Sequence, residues 1–310
     1  MSQLIKSAKI YTAHLPEWAT LAANLSECTI EPLKEGTPQT RSMGFVAVDE
    51  EDPNKVLRVF QGGMQFRFRM DEKVIPNKVL KIEVKAAIER IKQETGRKPG
   101  RKERVDIRET VKDELACKAF VTSTEVDAFY DPANHWLIIA TTQQKVCDAL
   151  VSHLVYACES VKTETIHVSD VAMGLTTRLK NWLAQQADEA FEGEAFGDFE
   201  TAGTVELQQD KRRLRVKMDT LAQAELGLKT AMNQGFTVRS IALTTESGTH
   251  FTLTDAFDLR GIMFPNKVEA EEGAEDPWMA QAILEMGEMS ALIAKLIEMF
   301  SAKEAPDAAA

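Results

Sequence analysis

Two short stretches of the chain concentrate lysine and arginine in a way that suits binding of a polyanion. Between Arg90 and Arg104, seven basic residues stand against two glutamates. Between Lys211 and Lys217, five of the seven residues are basic. Cations packed this closely repel one another, and a phosphate backbone placed beside them relieves that repulsion and releases its condensed counterions. These stretches therefore predict electrostatic contact with nucleic-acid phosphates.

Each cluster alone also fits a simpler interpretation, a basic turn that keeps the chain soluble or an edge hairpin guarded against aggregation. The rest of the chain is acidic, with a formal net charge of -11. Two basic clusters on this background favour a confined polyanion-binding face. Neither cluster begins a recognition helix with base-reading side chains, and neither alternates with stacking aromatics. We therefore predict phosphate contact without sequence readout and an affinity that falls steeply with salt.

Catalytic signatures are absent from the sequence, which has no GxGxxG, Walker, GxSxG or HExxH pattern. The four cysteines form no CxxC pair, so reduced and mostly buried thiols are expected. The histidines are scattered over unrelated segments, at His14, His135, His153, His167 and His250. No general acid and base can be chosen by spacing among 48 Asp and Glu residues. The sequence therefore predicts no catalytic residue, no metal site and no cofactor.

Composition and length are those of a folded soluble protein. The chain has 310 residues, 44% of them hydrophobic and 27% charged, which suits two or three structural units. No stretch approaches the roughly 18 apolar residues that span a bilayer. The first residues, MSQLIKSAKIYTAHL, lack the apolar core of a signal peptide. We expect a cytoplasmic protein without a membrane partner.

The first basic cluster falls between two predicted helices. Apolar residues recur at helical spacing over 78–91, the glycines and proline of ETGRKPGRKER interrupt the helix, and a second helix is expected over 105–117. The residues expected to face inward are Val79, Ile82 and Ala86 in the first helix, and Ile107, Val111 and Leu115 in the second. Residues 77–120 are therefore predicted to form a protruding helical hairpin with a basic tip.

Strand patterns surround this hairpin. MQFRFRM places Met64, Phe66, Phe68 and Met70 on one face and Gln65, Arg67 and Arg69 on the other, as in a half-buried strand. TVELQQ and RLRVKM flank a turn, which predicts a β-hairpin carrying the second basic cluster. Further helices are predicted at 16–25, 144–158, 171–187, 221–233 and 277–301. The fold class predicted is α+β, with mixed or antiparallel sheets.

The predicted domains follow these patterns. They are a central α+β domain of residues 1–76 and 121–170, the helical hairpin 77–120, and a C-terminal α+β domain 171–310 with a terminal dimerisation helix.

The chain resembles the RdgC family of recombination-associated proteins. The resemblance is carried, in order along most of the chain, by FRFRMDEKVIPNKVL, GRKPGRKE, the KAF of Lys118–Phe120, NHWLII and a terminal LIEMF. It implies a ring-shaped homodimer that encircles duplex DNA, binds double- and single-stranded DNA without sequence preference, and opposes RecA-dependent recombination in the nucleoid. The start of the chain departs from the aromatic-rich start of the family, which leaves the role of the first strand open.

The resemblance also implies residue roles. By position, Arg97 and Lys211 are similar to basic residues of the family that face DNA, and Phe120 is similar to an aromatic at a subunit contact. Lys118, which begins the KAF stretch, is included among the predicted DNA contacts. On charge grounds we extend the predicted DNA contacts to Lys98, Arg101, Lys102, Arg212 and Arg213.

A closed two-fold ring needs two self-complementary patches on each chain. Besides Phe120, the Met-rich side of the terminal helix is a candidate for the second patch, with Met289, Ile293 and Leu296 as contacts. Docking of this helix on its own subunit is the alternative, and for Phe120 the alternative is ordinary core.

Two other classes of function stay open at this point. One is a metal-dependent enzyme acting on nucleic acid, and the other is a protein-interaction inhibitor that binds the recombinase directly. Cleavage of DNA with a divalent metal would favour the first. Inhibition that persists on saturated duplex would favour the second.

Overall fold

The computed structural model describes residues 3–49, 51–159, 163–165, 171–186, 195–217, 221–265 and 276–301. The strands in these residues are β1 (Ser7–Ala13), β2 (Arg41–Val46), β3 (Leu57–Phe60), β4 (Gly63–Lys73), β5 (Val121–Asp131), β6 (Trp136–Ile139), β7 (Thr163–Thr165), β8 (Phe199–Gln209), β9 (Arg212–Lys217), β10 (Thr237–Thr245), β11 (His250–Thr254) and β12 (Leu259–Met263). The helices are α1 (Trp18–Glu27), α2 (Asn77–Thr95), α3 (Arg101–Ala116), α4 (Gln144–Cys158), α5 (Val171–Gln186), α6 (Leu221–Asn233) and α7 (Pro277–Ser301).

The strands form one continuous sheet in the order β2-β4-β5-β6-β1-β12-β11-β10-β8-β9, with β3 beside β4 and β7 beside β1. Every pair of these strands is antiparallel. Strand β1 joins the two halves, because Ser7 and Ala8 pair with β12 whereas Lys9–Thr12 pair with β6. The predicted α+β class is therefore confirmed, with an antiparallel sheet as its centre.

The first half of the sheet packs beneath α1 and α4. In β4 the alternating residues Met64, Phe66, Phe68 and Met70 are all buried, as the period-2 pattern predicted. Phe45 of β2 meets the rings of Phe66 and Phe68 edge to face, with centroids 5.9 and 5.6 Å apart. Both helices contribute to the same apolar core. The sequence therefore placed the inner face of this strand correctly.

The opposite face of β4 is less solvated than expected. Gln65 is buried, and its Nε2 donates to Asp127 Oδ1 of β5 at 2.9 Å. Arg67 Nε donates to the same oxygen at 2.8 Å. This face is therefore partly buried and polar, because β5 supplies the carboxylate of Asp127 directly opposite Arg67.

The second half of the sheet is covered by α5, α6 and α7. Helix α7 also holds the halves together. Its buried Glu285 accepts the N–H groups of Leu4 and Ile5 at 2.9 Å each, and its Ser290 Oγ donates to Asp131 Oδ2 of β5 at 2.6 Å. The terminal helix is thus docked on its own chain, on the sheet and on the residues just before β1.

Most predicted elements are found close to their expected positions. Helices α4, α6 and α7 coincide with the predicted ranges, and α1 lies two residues later than predicted. Strand β12 was not predicted. The last predicted residue of α5, Ala187, lies outside the described residues, as do the chain's residues beyond Ser301.

Helices α2 and α3 follow β4 directly, contact each other, and return the chain to β5. The predicted inner stripe of α2 is wrong, because Val79 and Ile82 are 40% and 65% exposed and Ala86 is also exposed. The protected stripe instead contains buried Leu80 and half-buried Val84. A helix with one neighbour buries a narrow stripe, and the apolar spacing of α2 offers two such stripes.

The inner stripe of α3 is as predicted. Val111 is buried and Ile107 and Leu115 are half-buried. The helix begins at Arg101, four residues before the predicted start at Val105. That earlier start places basic residues of the first cluster on the helix itself.

Candidate nucleic-acid interface

The turn between α2 and α3 is held by an internal ion pair. Gly96 ends α2 with φ 72° and its N–H donates to the Lys92 carbonyl at 2.9 Å, a conformation that favours glycine. Glu103 accepts the N–H of Gly100 at 2.7 Å. The same carboxylate accepts two hydrogen bonds from the Arg97 guanidinium, at 2.8 and 2.6 Å. Arg97 is therefore a structural cation of the turn as well as a predicted DNA contact.

The Glu103 carboxylate is stabilised in its charged form by these contacts. The Arg97 guanidinium first, and then the Gly100 N–H, lower the pKa of Glu103 to about 2. The pair stays charged at any pH at which DNA binding would be measured. The positive charge of Arg97 is consequently balanced by the negative charge of Glu103 in the same turn.

The neighbouring predicted contacts are free of such pairing. Lys98, Arg101 and Lys102 are exposed and form no ion pair with another described residue. Arg104 is also exposed, but its Nε donates to the Pro99 carbonyl at 3.0 Å. The tip thus presents three unpaired cations to solvent.

Lys118 is placed differently from the other predicted contacts. It is exposed, but it lines a groove between α2 and α3 that also contains Glu114 and four other carboxylates. Its local surroundings are therefore anionic.

The second cluster lies on the β8–β9 hairpin at the edge of the sheet. Asp210 makes the turn with φ 52°, a conformation that Asp tolerates better than most residues. Lys211, Arg212 and Arg213 are exposed, as a DNA contact requires. Because β9 is an edge strand, its outer side has no partner among the described strands.

Side chains of β9 alternate between the two faces of the sheet. Leu214 pairs with buried Leu207, whereas Arg213 and Arg215 pair with Gln208 and Glu206 on the other face. Arg215 Nε donates to Glu206 Oε1 at 3.1 Å, and Arg215 is the main cause of the lowered pKa of Glu206. The basic run thus splits between faces.

The predicted DNA contacts left out three cations on the face that carries Arg213, although two of them belong to the second cluster. Arg215 and Lys217 share the side of Arg213, and Arg239 of β10 adds to it through a 2.8 Å hydrogen bond to Gln208 Oε1. The period-2 alternation in RLRVKM was the signal that could have separated Arg213, Arg215 and Lys217 from the rest. Arg239 had no such signal, because it joins the group only through strand pairing.

The two clusters lie on separate parts of the protein, one on the α2–α3 pair and one at the edge of the sheet. Strand β5, which follows the helix pair, and strand β9 are seven steps apart in the strand order. At the usual strand spacing this corresponds to about 34 Å along the sheet. Within one chain the predicted contacts therefore form two patches rather than one.

The predicted dimer contacts differ sharply in exposure. Phe120 is 88% exposed, so the alternative of ordinary core is wrong for it. Its carbonyl accepts the N–H of Val74 at 2.9 Å, which fixes the residue where the helix pair joins the sheet. Val74 and Val121 beside it are also exposed.

The terminal-helix contacts need correction. Met289, Ile293 and Leu296 have no exposed surface, because they pack in the core beneath α7. In this conformation they offer nothing to a second chain. The alternative, docking of the helix on its own subunit, is what the structure contains.

Other chemistry-bearing residues form no further site in the described part of the chain. Cys147 and Cys158 are buried, Cys28 and Cys117 are half-buried, and all four are free thiols. His14 and His135 have ring centroids 4.3 Å apart, while His167 lies outside the described residues. No three His, Cys, Asp or Glu side chains within the described ranges are arranged to hold a metal ion.

None of the described helices has the length and apolar character to cross a bilayer.

These features define an α+β protein with a large antiparallel sheet and two exposed basic patches, one at the α2–α3 turn and one on the β8–β9 hairpin. Comparison with known proteins gives its family. The family model described as "Putative exonuclease, RdgC" matches residues 4–303, and the chain belongs to the RdgC family.

The sequences of three RdgC relatives match this chain over most of their length. A recombination-associated protein RdgC of Bordetella pertussis is 25% identical over 301 residues, covering 94% of this chain and 96% of the relative. The protein of the same name from Laribacter hongkongensis is 25% identical and covers 91% and 92% of the two chains. That from Cupriavidus necator is 26% identical and covers 80% and 81%. The relatives' names place the family in recombination, whereas the family description names an exonuclease.

Proposed function

We propose that the protein binds duplex DNA, and also single-stranded DNA, without sequence preference, and that it thereby restrains RecA-dependent recombination. Two copies close into a ring around the duplex, with the α2–α3 pair protruding as a basic hairpin. The protein acts in the cytoplasm, associated with the nucleoid. It requires no cofactor and carries out no cleavage.

The observation that carries this proposal is the set of exposed, unpaired cations at the α2–α3 turn and on the β8–β9 hairpin. Lys98, Arg101, Lys102, Lys211, Arg212 and Arg213 make no ion pair with any described residue. Backbone phosphates are the partner that such side chains bind without reading sequence. The acidic remainder of the chain confines DNA to these patches.

The names of the relatives support the recombination context. The separation of the two patches supports an enclosure that meets the duplex at more than one place. If a second copy completes the enclosure, the patch at the α2–α3 turn and the patch on the β8–β9 hairpin can contact different parts of one duplex. The alternative of a metal-dependent nuclease is favoured by one observation, the description of the matched family as a putative exonuclease.

Neutralising either patch is expected to weaken DNA binding. One variant carries Lys98→Gln, Arg101→Gln and Lys102→Gln, and the other carries Lys211→Gln, Arg212→Gln and Arg213→Gln. Each removes up to three phosphate contacts, so the slope of log affinity against log salt is expected to shrink by about 2.7. Fluorescence anisotropy with a labelled duplex measures both slope and Kd.

A matched control removes the same charge elsewhere. Lys6, Lys34 and Lys180 are exposed and lie outside both clusters. Changing all three to Gln gives the same net charge as either patch variant and leaves both patches intact. Two duplexes of unrelated sequence should give the same Kd. Equal losses in the control and patch variants, or strong sequence dependence, would contradict the proposal, and Mg²⁺-dependent cleavage of the duplex would favour the nuclease alternative.

The contact between copies is proposed at Phe120. An exposed aromatic flanked by exposed Val74 and Val121 is costly in water, and a second copy of the chain would cover it. The backbone bond between Val74 and Phe120 holds this apolar surface in place before assembly.

Phe120→Ser is expected to weaken self-association without unfolding the chain, since an 88% exposed side chain contributes little to the core. Sedimentation velocity across a concentration series measures the dimer dissociation constant. Leu226→Ser is the matched control, because Leu226 is 71% exposed and lies on α6, in another part of the fold. A dimer equally stable in wild type and the Phe120 variant would place the contact elsewhere.

A further inference from the structure

The two flanks of the α2–α3 pair carry opposite charge. One flank is a groove of about 760 Å³ lined by five carboxylates and two cations. The carboxylates are Glu83, Glu94, Glu103, Asp106 and Glu114, and the cations are Arg90 and Lys118. The other flank is a smaller groove lined by Lys81, Lys85 and Arg108 around an apolar floor, with no carboxylate. We call these the anionic groove and the cationic flank.

Helical spacing explains the separation. Residues three, four and seven apart lie on one side of an α-helix, so Lys78, Lys81, Lys85 and Lys92 form a single row along α2. From first to last this row rises about 21 Å, roughly the length of six base pairs of duplex. Glu83 and Glu94 lie across the helix from that row.

Helix α3 repeats the arrangement. Arg101, Arg108 and Lys112 recur at spacings of seven and four, and Arg108 completes the cationic flank beside Lys81 and Lys85. Glu103 and Glu114 lie on the opposite side, facing the anionic groove. Both helices thus sort their charges to the same two sides.

The cations of this flank are available to a ligand. Lys81, Lys85 and Arg108 are exposed, and none makes an ion pair with another residue in the described ranges. Within the α2 row only Lys92 is paired, to Glu89 at 3.5 Å, and both of those side chains are about half exposed. Three unpaired cations around one small groove repel each other until an anion approaches.

We propose that the cationic flank, formed by Lys81, Lys85 and Arg108, is a phosphate-binding surface along which the nucleic-acid backbone lies. The backbone is kept from the anionic groove by its carboxylates. This inference rests on the proposed function. It adds that one side of the helix pair, and not only its tip, faces the DNA. Lys118, on the anionic side, then faces away from DNA.

Lysine acetylation with and without DNA tests which side of the helix pair faces the DNA in the wild-type protein. The full chain, saturated with a random-sequence duplex, is treated with a limiting acetylating reagent, and modification at each lysine is read by mass spectrometry. We expect several-fold slower acetylation of Lys81 and Lys85 on adding DNA. Lys118 should react at an unchanged rate, as should the reference lysines Lys6, Lys34 and Lys180.

A neutralised flank provides a second measurement. The variant Lys81→Gln, Lys85→Gln and Arg108→Gln should lower the salt slope by about 2.7 and weaken binding by about tenfold or more at 0.15 M salt. The triple Gln variant of Lys6, Lys34 and Lys180 is matched in charge and should bind like wild type. Unchanged thermal unfolding midpoints in both variants would exclude a folding defect.

The outcomes separate this inference from the proposed function. Protection of Lys118 in place of Lys81 and Lys85, or equal losses in the two triple variants, overturns the inference while wild-type DNA binding stands. If the wild-type protein does not bind DNA at all, the proposed function fails and the inference fails with it.

Discussion

The affinity of the wild-type protein for a random-sequence duplex is expected to fall by about 10³-fold between 50 and 200 mM NaCl. The reason is the number of unpaired cations in the two patches. Six exposed residues, Lys98, Arg101, Lys102, Lys211, Arg212 and Arg213, contribute about 0.9 each to the slope of log affinity against log salt. A slope of about −5 over a fourfold change in salt gives this loss.

Anisotropy titrations at several salt concentrations measure the slope directly. The cationic flank adds to the number of contacts, so a slope steeper than −5 is expected where Lys81, Lys85 and Arg108 also bind. Circular dichroism at each salt concentration checks that the fold is unchanged. A flat titration would contradict phosphate binding and favour direct contact with the recombinase, especially if strand exchange is still inhibited on duplex already saturated with protein.

The net charge of -11 does not oppose this expectation at short range. Salt screens charges beyond about 8–10 Å at physiological ionic strength, so a phosphate at either patch responds mainly to the nearest side chains. The carboxylates of the anionic groove act within the same distance, but on the other side of α2 and α3. Acidity therefore affects where DNA lies more than whether it binds.

Elements whose pattern depends only on local spacing were predictable from the sequence. The alternation around Phe66 and Phe68 and the bounds of α4 follow from periods of 2 and 3.6 residues, which a single sequence contains. The inner stripe of α2 was not predictable in this way. Its apolar residues fit two stripes, and only the position of α3 decides that Leu80 is buried and Ile82 is not.

In the candidate interface too, the features with a local sequence signal were predictable and the others were not. Exposure of the basic turns followed from glycine, proline and charge, and the structure agrees for Lys98 and Lys211. The bond from the Gly100 N–H to Glu103 had a local signal, because a glutamate at the third position of a helix commonly accepts from the residue that precedes the helix. The burial of Met289 had none, since an apolar helix face is the same whether it meets its own sheet or another chain.

Removing the carboxylate of Asp258 is expected to lower the free energy of unfolding by about 3–5 kcal/mol, more than any surface change considered above. Asp258 Oδ1 accepts a hydrogen bond from Lys9 Nζ at 2.9 Å, and the two side chains are only 7% and 9% exposed. Lys9 lies on β1, which joins the two halves of the sheet, and Asp258 lies in the turn before β12. Asp258→Ala leaves the ammonium of Lys9 buried without a counter-ion at this joint.

A double-mutant cycle separates the ion pair from the loss of volume. Lys9→Met should cost less, because Arg260 Nη2 still lies 3.3 Å from Asp258 Oδ2 and keeps a counter-charge beside the carboxylate. Lys9→Met with Asp258→Leu should recover much of the loss caused by Asp258→Ala, since apolar groups can replace a buried pair at little net cost. Glu89→Gln, which breaks the exposed pair with Lys92, is the control and should cost less than about 1 kcal/mol in urea unfolding. If Asp258→Ala costs no more than that control, the joint between the halves does not depend on this pair, and the backbone pairing of Ser7 and Ala8 with β12 together with the α7 contacts of Glu285 must be sufficient to hold it.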